Sequence, residues 1–315
     1  MLRKFVRINV PVAALSILFL MSVCTCVVAQ QGSSDEPNSV SSHSRFVVIN
    51  SPSTESGGSD SILTFDSLGN STVFFSASHN LRGLDDIACS SQKSPHFFVS
   101  HNVFDESISE LLRFNASGKI VHTIPFGTPG SPIALAFDKA GNFYVAQDAV
   151  IFKDGLLFAT LPDAAEVGKL AADSRGSLYV TKPLSSQLFR VDSLGNVTLF
   201  ADSTQGLNAP FGLAIDSMDS IFVANNPPSA PAFILKFDQS GTPSPFATTI
   251  QEQPSIRSMT FDHHGNLYAT LLDFSSILKF DTNGNSSIFA DASKGLDLPT
   301  AITVCHKETR ESPDK

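Results

Sequence analysis

The chain has 315 residues and a formal net charge of -9; 42% are apolar and 16% charged, with 26 Phe, 3 Tyr and no Trp. That apolar share excludes a disordered protein, and the acidic balance excludes a nucleic-acid partner, because neutralising a phosphate backbone needs clustered lysine and arginine. The length suits one large all-β domain or two ordinary domains.

Residues 2–7, LRKFVR, are basic, and an apolar run follows from Val10 to Val28. Val27, Val28 and Ala29 are small residues of the kind a signal peptidase reads, with Gln30 next. This predicts a secretory signal peptide over 1–29 and a secreted, extracellular protein (periplasmic if bacterial) that keeps no membrane attachment after cleavage. An uncleaved anchor is the alternative, since the run nears the roughly 18 residues that span a bilayer. Arg3, Lys4 and Arg7 leave with the signal, so 18 basic and 30 acidic residues remain. Residues 30–44 read as a flexible linker, 45–305 as the folded domain and 306–315 as a polar tail.

A repeat in two halves fills the domain. The first half reads SPIALAFDKAGNFYVAQ (131–147), GKLAADSRGSLYVTK (168–182), PFGLAIDSMDSIFVAN (210–225) and IRSMTFDHHGNLYAT (256–270). The second reads ILTFDSLGNSTVFF (62–75), LLRFNASGKIVHTI (111–124), LFRVDSLGNVTLFA (188–201), ILKFDQSGTPSPFA (234–247) and ILKFDTNGNSSIFA (277–290). Each half alternates apolar and polar residues around a turn with Asp or Asn followed three places later by Gly, as in Asp66/Gly69, Asn115/Gly118, Asp192/Gly195 and Asp281/Gly284. That is strand, turn, strand: the Asx side chain accepts from its own turn and the glycine takes the positive φ. Asp216/Asp219 puts Asp at the left-handed position, which Asp tolerates. Lys153-Asp154-Gly155 is a shortened copy, making the third blade the smallest.

The turns recur about every 43 residues, the period of a four-stranded propeller blade. The first copy has FVVIN (46–50) but lacks the strand before it, and LPTAITVC (298–305) supplies that strand alone. The prediction is an all-β, six-bladed β-propeller whose first blade is closed by the C-terminal strand. The Phe at the repeated "FD" and "FA" positions fill the wedges between blades. Signal cleavage removes Cys24 and Cys26; Cys89 and Cys305 then fall at nearly the same height on neighbouring inner strands. Two readings stay open, a disulfide or two buried thiols.

The pattern P-x-G-L-A-x-D-x-x-G-N-L-Y-V-A followed by I-x-x-F-D-x-x-G resembles NHL-type repeats over residues 45–305. It also resembles the wider superfamily of the senescence marker protein, gluconolactonase and strictosidine synthase families. The lactonase resemblance implies a divalent cation such as Ca2+ in the channel, on Glu, Asn and Asp side chains at the starts of the innermost strands. Here those places align with Asp85, Ile133, Gly168, Phe211, Arg257 and Thr300, with Glu166 two places before its strand. A hard cation needs several oxygens, so no cofactor and no metal site is expected unless the lactonase reading holds.

In such a propeller the starts of the innermost strands and the loops after "YVA" share one face. The ligand-face candidates there are Asp85, Asp86, His101, Asn102, Asp148, Lys169, Lys182, Phe211, Asn225, Asn226 and Arg257, a mixture that suits a small polar ligand or a peptide. Asp85 and Arg257 are expected to compensate each other's charge. His101 and Asn102 read as part of a long insertion with Asp105 nearby; a histidine beside a carboxylate is a general-base candidate, and a solvated loop histidine is the plainer reading. Sequons at Asn70, Asn115, Asn196 and Asn285 sit on hairpin tips where a glycan is tolerated.

No GxSxG, HExxH, P-loop or GxGxxG motif occurs. The leading expectation is a monomeric, secreted binding platform for a small molecule, peptide or extracellular protein. The alternatives are a lactone or ester hydrolase of the gluconolactonase type and a lyase resembling strictosidine synthase, so whether the chain is an enzyme stays open.

Overall fold

The computed structural model describes residues 45–52, 59–76, 82–90, 96–103, 108–126, 134–162, 167–248 and 255–305. The expected signal peptide, linker and tail lie outside them, as do Asp105, Ile133 and Glu166. Within them the chain forms six four-stranded antiparallel sheets arranged as the blades of a propeller. Blade 1 comprises Pro299–Cys305, Arg45–Asn50, Ser61–Phe65 and Ser71–Ser76, from the axis outward. Blades 2 to 6 follow in chain order. Their innermost strands are Leu84–Cys89, Ala134–Phe137, Leu170–Ala172, Pro210–Ile215 and Ile256–Phe261. These inner strands touch their neighbours all the way round the ring. The C-terminal strand therefore closes the first blade, with Arg45 opposite Cys305 and Val48 opposite Ile302.

The hairpin turns follow from their Asx residues. Asp192 Oδ1 accepts from the N–H groups of Leu194 and Asn196, both at 2.9 Å. Asn115 does the same for Ser117 and Lys119 at 3.1 and 3.0 Å, so the geometry needs the oxygen and not the charge. Asp219 takes φ +64° in place of glycine. In blade 3 the shortened copy is a two-residue turn, with Asp154 and Gly155 at φ +50° and +81°, the combination a tight hairpin prefers.

Six apolar clusters fill the wedges. Phe65, Phe114, Phe237 and Phe280 are fully buried, and rings meet across seams, as Phe46 does with Tyr268 at 4.3 Å and Phe74 with Phe97 at 5.0 Å. A second device ties blade to blade at the outer turns. Gly69, Gly118, Gly195, Gly241 and Gly284 each lie against the main-chain carbonyl of a phenylalanine in the preceding blade: Phe289, Phe74, Phe158, Phe200 and Phe246 respectively. Any Cβ would collide with that carbonyl in most of these turns, a demand beyond the positive φ.

The seam between blades 1 and 2 also carries a covalent bond. Cys89 and Cys305 form a disulfide with Cα atoms 5.7 Å apart and 216 residues between them in sequence. It joins the closing strand to the innermost strand of blade 2, among Val47, Ile49, Ile87 and Ala301.

Candidate functional site: the channel and its mouth

Four innermost strands begin with an irregularity. In blade 2 Leu84 faces His101 but Ile87 faces Val99; the same slip occurs at Pro210/Leu213 in blade 5, Ile256/Met259 in blade 6 and Pro299/Ala301 in blade 1. One extra residue bends the strand and re-aims its side chains. The slip falls at Asp85, Phe211, Arg257 and Thr300, the positions aligned in sequence, and also at the residues that follow them.

At this level the second strand of alternate blades offers a hydroxyl to an inner-strand N–H, at the bulges of blades 2 and 6 and at Lys169 of blade 4, whose strand carries no slip. Ser100 Oγ accepts from Asp86 N–H at 2.9 Å, Thr181 Oγ1 from Lys169 N–H at 2.9 Å and Thr270 Oγ1 from Ser258 N–H at 3.1 Å. Blades 2, 4 and 6 thus carry a hydroxyl there and a polar residue on the inner strand. Blades 1, 3 and 5 carry Ile49, Ala146 and Ala224, opposite Ala301, Ala134 and Gly212. The sixfold ring has a threefold alternation of polar and small residues near its axis.

Two of the polar residues pair. Lys169 Nζ donates to Asp86 Oδ1 at 2.6 Å, with side chains 9% and 7% exposed. The second oxygen, Oδ2, accepts from Leu135 N–H at 2.8 Å, so one carboxylate of blade 2 binds both blade 3 and blade 4. Ser258 Oγ accepts from Ile302 N–H at 3.2 Å, linking blade 6 to blade 1. A cavity of about 220 Å³ begins at Asp86, Lys169 and Ser258 and continues along the inner strands to Cys89, Phe137, Ala172, Ile215 and Phe261. Asp85, Phe211 and Arg257 do not line it, so the ion pair lies between the mouth and this inner cavity.

At the mouth, Asn102 Nδ2 donates to Asp85 Oδ2 at 2.8 Å. Burial pushes the Asp85 carboxyl above its ordinary range, against the opposing pull of Asn102, Lys169 and Arg257. The Arg257 guanidinium stands over the Phe211 ring, 4.2 Å from its centroid. The expected compensation of Asp85 and Arg257 acts at a distance, as the pull of Arg257 on the Asp85 carboxyl: Asp85 itself binds Asn102, Arg257 stands over an aromatic face, and the direct pair across the channel is Asp86 with Lys169. Alternation along the bulged strand is the reason, because it turns the two neighbouring aspartates toward different surroundings.

His101 is a correction. It lies within the strand Phe97–Val103, opposite Glu110, and not in a solvated insertion. Its ring is buried, Nδ1 meets Glu110 Oε1 at 2.8 Å, and Nε2 has no partner. The extra residues of blade 2 simply lengthen the hairpin, which the period of the repeat could not reveal. Glu110 was legible only through that register.

The remaining candidates divide. Asn225 is fully buried; its Oδ1 accepts from Asn208 N–H at 2.7 Å, inside the wall. Asn226 clamps the next blade, donating to Ile256 O at 3.0 Å and accepting from Ile256 N–H at 2.9 Å. Lys182 is fully buried as well, and Asp148 is half-buried at φ +52°. Asn225 and Asn226 hold loops to blades; Asp85, Phe211 and Arg257 form the mouth. At the opposite end of the blades, Asn70, Asn196 and Asn285 are exposed, and each donates its side-chain nitrogen to the carboxylate of its own turn at 2.8 to 3.0 Å. Asn115 is half-buried and opens its turn as the acceptor.

Among the described residues no group of three or more His, Cys, Asp or Glu side chains is placed to hold a metal ion. At the ring where a channel cation would sit, the described residues offer one carboxylate, Asp85, and one hydroxyl, that of Thr300, which is buried without a partner, beside an arginine and a phenylalanine. The next carboxylate, Asp86, is already neutralised by Lys169.

Neither a protein-family model nor a curated protein matches the chain. Solved structures do match. The nidogen/laminin complex gives a TM-score of 0.64 at 14% identity, over 84% of this chain and 100% of that one. Virginiamycin B lyase from Staphylococcus aureus gives 0.57 at 15%, over 82% and 92%. A gluconolactonase from Xanthomonas campestris gives 0.50 at 14%, over 80% and 85%. The likeness is one of fold. At such identities a shared propeller does not carry a shared activity, and each site has to be argued from its own residues.

Proposed function

We propose that the protein is a secreted propeller that binds a small polar molecule, a peptide or an extracellular protein at the channel mouth, without metal chemistry. One observation carries the reading: Asp85 and Arg257 stand at the mouth unpaired with each other, above a channel whose own charges, Asp86 and Lys169, cancel. A mouth of opposite, separately held charges suits recognition. Among the described residues a hydrolytic cation would have to settle beside Arg257 with Asp85 as its one anionic ligand and the Thr300 hydroxyl as a neutral one, and a hard cation needs more oxygen than that. One of the similar solved structures is a complex of two proteins, nidogen and laminin, which supports a binding role for this architecture. Export with cleavage after Ala29, and glycans at Asn70, Asn115, Asn196 and Asn285 on the far end of the blades, belong to the same proposal. They would leave the mouth clear.

The test is metal analysis of the purified exported protein, hydrolysis assays on lactone and ester panels, and a binding screen with metabolites, peptides and extracellular proteins. Binding that depends on mouth residues, in a protein without stoichiometric metal or hydrolytic turnover, is the expected result. A stoichiometric divalent cation together with lactone hydrolysis would overturn it in favour of the gluconolactonase-type alternative. Turnover by elimination or condensation would favour a lyase.

A further inference from the structure

We infer that the ligand of the mouth is a small zwitterion of the amino-acid class, its carboxylate held by Arg257 and its ammonium by Asp85; this rests on the reading of the mouth as a binding site. Arg257 is the decisive residue. A guanidinium offers five N–H donors in a fixed fork, and here the group is half-buried yet makes no hydrogen bond or ion pair with any described residue. Its one close partner is the Phe211 ring at 4.2 Å, which covers one side and leaves the N–H edge unused. None of its nitrogens is sealed from water, so that edge is open to a ligand, and a carboxylate is the group whose two oxygens match the fork.

The surroundings decide which anion. Asp86 cannot serve, since both of its oxygens are taken by Lys169 and Leu135. Asp85 has one oxygen on Asn102 and the other without a partner among the described residues. It stands at the equivalent ring position two blades from Arg257, with Thr300 of blade 1 between them. A phosphate or dicarboxylate would put surplus negative charge beside Asp85. A monocarboxylate that also carries an ammonium meets opposite charge at both ends. Among the described residues Asp85, Asp86, Lys169 and Arg257 near the axis sum to zero, and a zwitterion leaves that sum unchanged.

The experiment uses the full exported chain in thermal-shift and equilibrium titrations with the twenty L-amino acids, acetate, methylammonium and inorganic phosphate. One or more amino acids should bind at least about tenfold more tightly than acetate or methylammonium, the two half-ligands. Arg257→Gln and Asp85→Asn should each weaken that binding by about 10- to 100-fold, the worth of a charge-assisted hydrogen bond. Arg257→Lys, which keeps the charge and loses the fork, should fall between and serves if the glutamine variant does not fold. Phosphate binding more tightly than every amino acid, or an amino acid binding equally well to Arg257→Gln, would overturn the assignment. Silence of all twenty would also overturn it. The platform reading would then still stand if a peptide or protein from the broader screen bound through the mouth, and would fall with it if nothing did.

Discussion

Gly195, at the tip of the outer hairpin of blade 4, lies against the main-chain carbonyl of Phe158 in blade 3; a Cβ built on it would stand 2.5 Å from that oxygen. Gly265, in an inner turn, has an equally positive φ, but its Cβ would meet only Thr282 at an ordinary 3.5 Å. The two positions separate strain from collision. Gly265→Ala should cost about 1–2 kcal/mol, the left-handed penalty alone. Gly195→Ala should cost about 1–3 kcal/mol more, because the neighbouring strand must move. Equal losses in urea titration would mean that the contact between blades contributes nothing.

The buried pair yields a sharper contrast. Removing one partner of a buried ion pair strands the other, at about 3–5 kcal/mol. Lys169→Met should therefore be strongly destabilising. Asp86→Asn added to Lys169→Met removes the stranded charge and keeps an oxygen for Leu135 N–H, so the double variant should recover most of the loss. A double variant less stable than Lys169→Met would show that Asp86 is not stranded by the single change.

How far the sequence could be read follows from its chemistry. The blade count, the closing strand and the Asx–Gly turns were legible because each rests on local spacing: an acceptor three residues before a glycine, or a strand missing at one end and present at the other. Asp86 with Lys169 and His101 with Glu110 were not. Their partners lie 83 and 9 residues away, and a one-residue bulge or a lengthened hairpin decides which way each side chain points. The alternation of Ser100, Thr181 and Thr270 with Ile49, Ala146 and Ala224 was present in the aligned repeats, yet it acquires meaning only once the hydroxyls are seen to accept from inner-strand N–H groups.

The disulfide and the closing strand should act together. Removing residues 298–315 exposes the inner edge of blade 1 and uncovers Val48 and Ile49, which pair with Ile302 and Ala301, so insoluble or protease-sensitive protein is expected. Cys305→Ala keeps the strand and loses only the bond, which in the chain-entropy model stabilises by up to about 5 kcal/mol for so long a loop. Its melting temperature should fall while the transition stays cooperative. Mass spectrometry of the denatured, unreduced wild type should show no alkylation at Cys89 or Cys305; two added alkyl groups would mean that the bond does not form.

Acid should loosen the turns before the core. The carboxyls of Asp192 and Asp281 are held below their ordinary range by the side-chain amides of Asn196 and Asn285 and by backbone N–H groups. A carboxyl lowered in the folded state stabilises above its unfolded value, near 3.9, and that contribution is lost as pH falls through the lower folded value. Asp85 has the opposite sign: burial raises it, so its ionised form costs stability at neutral pH and the cost disappears as pH falls. Asp192→Asn with Asp281→Asn should therefore flatten the loss of stability between about pH 4 and pH 2, with the turns kept intact as Asn115 keeps its own. Asp85→Asn should be more stable than wild type at pH 7, with the advantage shrinking on acidification. Melting curves at pH 7, 4 and 2 check both, and an unchanged acid slope in the double variant would show that the turn carboxylates do not govern it.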